Sequence, residues 1–351
     1  MAKGFKKASL SIILPTLLVV STNLYSQLRT AYPDIPRIDV HTHIGNDSKA
    51  ISNYLDLRKK MLKKSSIDMA IWINLGKGDD PIENPTEMLN KSKGRILSGI
   101  SDYSAHDGLQ HPPEDLEGMM KQGFVGYKIW SGPWYRKLKN KEDGFPYIDN
   151  PAHEPTFAEM ERIGMIGASI HIADPNGPWG ERTAWLADPI EYWKEITAWR
   201  NVLEKHPNLT AVMAHGNWLM CQDAQIDYLR NMLHTFPNLH VDLAATFQYF
   251  HLVNRDNLRS FMIEWADRLL FATDNGAWEN EDSTNERVEQ YLKAFQILET
   301  EDIVQGGFFG GPDVKGLALP KDVLKKIYYK NAMRLYPGVK KQLSELGFKT
   351  E

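Results

Sequence analysis

One cysteine, Cys221, stands in a chain of 351 residues, which excludes an intramolecular disulfide framework and any cysteine-built metal site. There is no basic run with interleaved aromatics. The net charge is −4 and the pI is near 6.3, so nothing points to a nucleic-acid partner. The apolar run Leu10 to Val20 is 11 residues, broken by Ser11, Pro15 and Thr16, well short of the roughly 20 that a membrane-spanning helix needs. Lys3, Lys6 and Lys7 precede it and the small, polar stretch Ser21 to Ser26 follows, with no cysteine at its exit to carry a lipid. That is the layout of a secretory signal peptide. Residues 1–26 are therefore set apart from a single domain over 27–351, with cleavage expected near Ser26-Gln27. Loss of three lysines and no acids would take the charge from −4 to −7, giving an acidic, exported protein without a membrane anchor. At 42% hydrophobic, 25% charged and 11% aromatic residues, the remainder has ample material for a packed core.

Short apolar strands alternate with amphipathic helical stretches from residue 37 onward. Strands are predicted at Arg37 to His43, Asp68 to Leu75, Arg95 to Tyr103, Phe124 to Trp130, Met165 to Ala173, Leu209 to Gly216, Asn238 to Ala245 and Arg268 to Asp274. Helical patterns lie between them, including Ala50 to Lys64, Pro113 to Gln122, Ile190 to His206, Asp223 to Thr235 and Glu286 to Leu298, and a last helix over Lys321 to Tyr336 is expected to close the structure. Repeated strand-then-helix alternation implies parallel strands joined by right-handed crossovers. Eight units over this length match an α/β (β/α)₈ TIM barrel. A doubly wound sheet would normally place a glycine-rich phosphate turn after its first strand, and here that position holds His41, Thr42 and His43. Ser131 to Pro155 and Gly306 to Pro320 read as loops.

In Arg37-Ile38-Asp39-Val40-His41-Thr42-His43, strict alternation puts Asp39, His41 and His43 on one face. Two imidazoles at that spacing can share a metal, or can be ordinary strand-end polar groups. His171, His215 and Asp274 end the fifth, sixth and eighth predicted strands, at the rim where barrel enzymes build their sites. Each alone could cap the following helix; together they are harder to read that way.

The ordered set Asp39-x-His41-x-His43, Gly126-Tyr127-Lys128-Ile129-Trp130, Ser169-Ile170-His171, Ala214-His215-Gly216, Phe271-Ala272-Thr273-Asp274 and Ile327-Tyr328-Tyr329-Lys330-Asn331-Ala332-x-Arg334-Leu335 resembles the amidohydrolase superfamily. Within it, the resemblance is closest to the branch of metal-dependent hydrolases and decarboxylases related to aminocarboxymuconate-semialdehyde decarboxylase. What the resemblance implies is one divalent ion held by His41, His43, His171 and Asp274, with His215 beside it. It also raises the possibility that Lys128, facing into the barrel, is carboxylated and bridges two metals; the mononuclear arrangement is preferred, because Trp130 crowds the same rim.

Three imidazoles and a carboxylate suit zinc best, and manganese, iron or cobalt less selectively. Asp274 could then shuttle a proton and His215 polarise or protonate a substrate oxygen. Trp130, Trp134, Trp179, Trp218 and Trp278 follow strands on the catalytic side, which suggests stacking on a flat aromatic or sugar-like ring. Lys128 and Arg136 could meet a substrate carboxylate, and the segment from Ser131 to Pro155 is long enough for a lid. The expected activity is metal-dependent hydrolysis of a small cyclic ester, amide or related bond. A non-oxidative decarboxylase using the same ligands is the alternative, and a non-catalytic ring-binding protein a third reading. A small molecule is the expected partner, with self-association left open.

Overall fold

A computed structural model describes residues 30–76, 81–102, 109, 111–131, 147–171, 189–276, 281–308 and 310–350. Its centre is a ring of parallel strands: β1 (Arg37–His43), β2 (Met69–Asn74), β3 (Ile96–Asp102), β4 (Phe124–Trp130), β5 (Gly167–His171), β6 (Ala211–Met213), β7 (Leu239–Asp242) and β8 (Leu269–Leu270), each hydrogen-bonded to the next in sequence order. The ring closes through β9 (Asn275–Gly276), which continues the β8 stretch and pairs with β1. Between β8 and β9 the closure is carried by two main-chain bonds, Val40 N–H to Phe271 O at 3.1 Å and Asp274 N–H to His41 O at 3.0 Å. Strands β1 to β4 are almost wholly buried, as a sheet covered on both faces requires.

A helix follows every strand of the ring: Ser48–Ser65, Pro85–Lys91, Pro113–Gln122, Glu154–Ile163, Pro189–Lys205, Asp223–Thr235, Arg255–Glu264 and Glu281–Glu299. Local chemistry sets their ends. Asp47, Asn84 and Asn254 each accept a first-turn amide, satisfying donors that have no partner within the helix. After Pro113–Gln122 the chain reverses at Gly123, whose φ of 114° only glycine adopts easily. The helical segment 321–335, expected to be the last but followed by a short helix Val339–Glu345, contains a π turn at Lys326–Lys330 and packs under β8, with Phe271 N–H on Ile327 O at 2.9 Å. Cys221 is buried and takes part in no disulfide.

Three features depart from the sequence reading. Strand Val314–Lys315, paired with Ile303–Val304 in a two-stranded hairpin, lies within Gly306 to Pro320, read from the sequence as a loop, and helix Pro85–Lys91 occupies a stretch to which the sequence reading gave no element. Strand β6 stops at Met213, and His215, Gly216, Asn217 and Trp218 all take left-handed backbone angles, with φ between 45° and 64°. The alternation in β1 is also interrupted. Asp39 pairs with Trp72, but the next partners are Thr42 and Asn74, so Val40 and His41 together oppose Ile73, and this bulge turns Asp39 out toward the helix Glu281–Glu299 while His41 faces in.

Candidate metal and catalytic site

Four of the predicted groups meet at the carboxyl ends of the strands. His41 Nε2, His43 Nε2 and Asp274 Oδ1 converge: 3.3 Å separates the two nitrogens, and Asp274 Oδ1 lies 3.2 Å from one and 3.1 Å from the other. Lys128 Nζ reaches the same His41 Nε2 at 2.8 Å.

Protons decide what this cluster is. His41 Nδ1 lies 2.9 Å from Asp242 Oδ2, His43 Nδ1 2.8 Å from Gly76 O, and His215 Nδ1 2.9 Å from Ala244 O. Ionised carboxylate and carbonyl oxygens only accept, so each Nδ1 must be the donor. In neutral imidazole that leaves Nε2 as a lone pair, and two such lone pairs meet a carboxylate oxygen that is buried and receives no hydrogen bond. Close approach of three electron-rich atoms without a proton between them is repulsive unless a cation joins them. The donor set therefore fits a divalent ion, with outer carboxylate and carbonyl groups orienting the imidazoles as metal ligands require.

Burial disfavours charge on His41 and His215, while Asp274 and Asp242 stay ionised. Burial, then the nearby Lys128 charge, pushes His41 down to about 3. His215 is lowered as well, chiefly by burial. Burial alone would raise Asp274 and Asp242, but the surrounding imidazoles hold Asp274 well below the usual carboxylate range, and His41 holds Asp242 down through charge and hydrogen bonding. Lys128 is lowered to about 8 because its complete burial outweighs the attraction of Asp274 and Asp242. Its ammonium stands on the lone pair that a bound ion would use, so the two compete for His41.

His215 sits next to this cluster, its ring 5.0 Å from His41. The left-handed turn swings Trp218 back beneath it, and the two rings stack 4.9 Å apart at 3°. Such angles cost roughly 1–2 kcal/mol at each non-glycine residue, which the packing offsets: all four residues of the turn are buried, and Tyr192 donates to Asn217 O at 2.6 Å.

Asp242 is the site residue that the sequence reading passed over. It ends β7, and its carboxylate joins His41 Nδ1 on one oxygen to the main-chain N–H groups of His215 (2.8 Å) and Ala244 (3.1 Å) on the other. The signal was the rim position itself, which had singled out His171, His215 and Asp274.

The other predicted residues fall as follows. His171 ends β5, its backbone in register with Trp130; its side chain lies outside the described residues. Trp130 packs 5.6 Å from the His43 ring, with Lys128 Nζ 4.7 Å above its own ring centre. Trp218 is 5% exposed, with one face on His215 and Tyr249 against its edge. Trp134, Arg136, Trp179 and Trp278 lie outside the described residues, as does most of the expected lid.

A closed barrel with polar side chains gathered at this rim has the layout on which barrel enzymes build their sites. The chain belongs to the amidohydrolase family: the family model described as Amidohydrolase matches residues 101–338, a stretch that takes in His171, His215, Asp242 and Asp274 and leaves out His41 and His43. Comparison with curated proteins finds no match. Among solved structures, similarity extends to a probable 2-pyrone-4,6-dicarboxylic acid hydrolase from Acinetobacter baumannii with citric acid bound, at 11% identity and a TM-score of 0.52 over 85% of this chain and 98% of that one. Dihydroorotase from Saccharomyces cerevisiae in complex with 5-fluoroorotic acid is similar at 11% identity and 0.53, over 86% and 84% of the two chains. A putative amidohydrolase from Staphylococcus aureus gives 12% identity and 0.51, over 86% and 99%. At such identities the likeness speaks for the fold. Members of the amidohydrolase family are enzymes that use divalent metals, and this chain has a matching histidine and aspartate cluster.

Proposed function

We propose that this protein is a metal-dependent hydrolase of a small, ring-containing substrate, cleaving a cyclic ester, amide or related bond. The observation that carries the reading is the meeting of His41 Nε2, His43 Nε2 and Asp274 Oδ1, each within 3.3 Å of the other two. His41, His43 and Asp274, joined by His171 from the end of β5, would hold one ion, zinc most readily, with manganese, iron or cobalt also served by this donor set. A divalent ion there supplies Lewis-acid polarisation and makes water acidic enough to ionise near neutral pH.

The chain's own residues do the rest. Asp274 would take the proton of the attacking water and return it to the leaving group. His215, neutral and with its Nδ1–H committed to Ala244 O, offers a lone pair at Nε2 and enters as a base; it donates only after taking up a proton. Trp130 beside His43 offers an aromatic wall for a substrate ring, and Lys128 a cation for a carboxylate. Two of the similar structures bear on ring acids by their descriptions: a pyrone dicarboxylic acid hydrolase and a complex with fluoroorotic acid. On the layout of residues 1–26, the reading includes export and cleavage near Ser26. Among the described residues no helix is long and apolar enough to cross a membrane.

The test is turnover by the metal-loaded protein against lactones, cyclic amides, aryl esters and aromatic carboxylic acids, with product and CO₂ both measured. Ring opening without CO₂ supports hydrolysis. Release of CO₂ from an aromatic acid would replace it with decarboxylation.

A further inference from the structure

The cluster at the rim depends on β1 and the interrupted β8–β9 stretch staying in fixed register, and neither strand secures this alone. β1 is bulged where His41 turns inward. Between β8 and β9 the chain is irregular, and Asp274 has a left-handed φ of 67°. Asp39 lies between the two, fully buried and turned away from the reacting groups. Its carboxylate takes four donors. Oδ1 accepts the main-chain N–H of His41 at 3.2 Å and of Thr273 at 3.1 Å, and Oδ2 accepts the Thr273 and Tyr291 hydroxyls at 2.6 Å each. Tyr291 belongs to the helix Glu281–Glu299 and also accepts from Trp72 Nε1 at 3.1 Å.

We propose that Asp39 is a positioning residue that clasps His41 on β1 to Thr273, the neighbour of Asp274, and thereby sets the spacing of the two metal-facing groups. Two of its contacts are main-chain amides that no ladder bond can satisfy, one made orphan by the bulge and the other by the break. A burial role alone would ask only for a side chain of the right volume. Here one oxygen spans two strands, and the residues it fixes are His41 itself and the immediate neighbour of Asp274. The proposal rests on the metal reading above only for its effect on ion binding. The clasp itself is a property of the chain.

The two sides of the carboxylate differ in what they tolerate. Asp39→Asn can keep its oxygen on the two amides and turn its NH₂ to the hydroxyls, which rotate to accept. Asp39→Ala removes both acceptors. Site-resolved amide exchange and the zinc dissociation constant by chelator competition are measured on both variants. In Asp39→Ala, exchange at Thr273 and Asp274 should rise by roughly tenfold or more while helix Asp223–Thr235 keeps its protection, and zinc should bind roughly 10–100-fold more weakly, the usual scale for an outer residue that orients ligands. Asp39→Asn should restore both readouts to near the parent. Should Asp39→Ala fail to fold, Asp39→Ser takes its place: its hydroxyl cannot reach both amides, so the same changes are expected. Uniform loss of protection with zinc affinity unchanged, or Asn no better than Ala, would overturn the clasp. A parent that takes up no zinc refutes the metal reading instead, and the exchange arm still decides for Asp39.

Discussion

Replacing Asp242 by Asn separates orientation from bulk, because the side chain keeps its shape and loses one acceptor. The two carboxylate oxygens face donors on opposite sides, His41 Nδ1–H at 2.9 Å and the His215 and Ala244 amides at 2.8 and 3.1 Å. An asparagine has a single oxygen, so its NH₂ must point at one of these donors whichever way it sits. With the NH₂ on His41, the imidazole relieves the clash by moving its proton to Nε2, which removes the lone pair meant for the ion. With the NH₂ on the amides, the left-handed turn carrying His215 loses its anchor. Outer residues of this kind are worth roughly 10–100-fold in metal affinity, or about 1.4–2.8 kcal/mol. Zinc affinity by chelator competition, with melting temperature of the metal-free protein alongside, measures it. Affinity within about twofold of the parent in a folded Asp242→Asn protein would refute the reasoning, since it would mean that the His41 tautomer does not depend on Asp242.

His215→Asn should lower turnover by on the order of 10²-fold, the scale for a general base, with metal content nearly intact; parallel loss of metal would make His215 a ligand. Metal analysis of Lys128→Ala should still find a single ion per chain, whereas a parent with two ions that drops to one in this variant would establish a lysine-bridged pair. Away from the site, His240 is held at about 4 by burial and then by Arg268, against 6.5 when unfolded. The unfolded chain thus binds the extra proton first on acidification, and stability fully present above about pH 6.5 is lost toward about pH 4. His240→Gln should show a smaller drop in melting temperature between about pH 7 and about pH 4.5 than the parent, and an equal drop would contradict that assignment.

The barrel was legible because its strands are buried on both faces and read as apolar runs. β1 and β4 coincide with the predicted limits. The later strands are shorter than their apolar patterns, because the chain leaves the ladder at Met213 and Leu270 while its side chains remain buried. Rim chemistry was legible where a histidine or aspartate closed a strand. It was lost where the expected pattern was assumed to be regular. Asp39 was placed with His41 and His43 by alternation, and the bulge sends it to the helix layer instead. The stack of His215 on Trp218 needs left-handed angles at three non-glycine residues, which no local preference announces. Trp218 therefore lies under an imidazole, in a place the sequence assigned to the rim of a pocket.

The central claim is that His41, His43 and Asp274 form a metal site, and the most direct measurement of it is zinc uptake by chelator-stripped protein, parent beside Asp274→Asn, followed by calorimetric titration. The account predicts saturation at a single ion per chain in the parent and loss of that binding in the folded variant, which keeps the shape of the side chain but not its charge. A parent that binds no divalent ion, or a variant that binds it as tightly as the parent, would contradict the account.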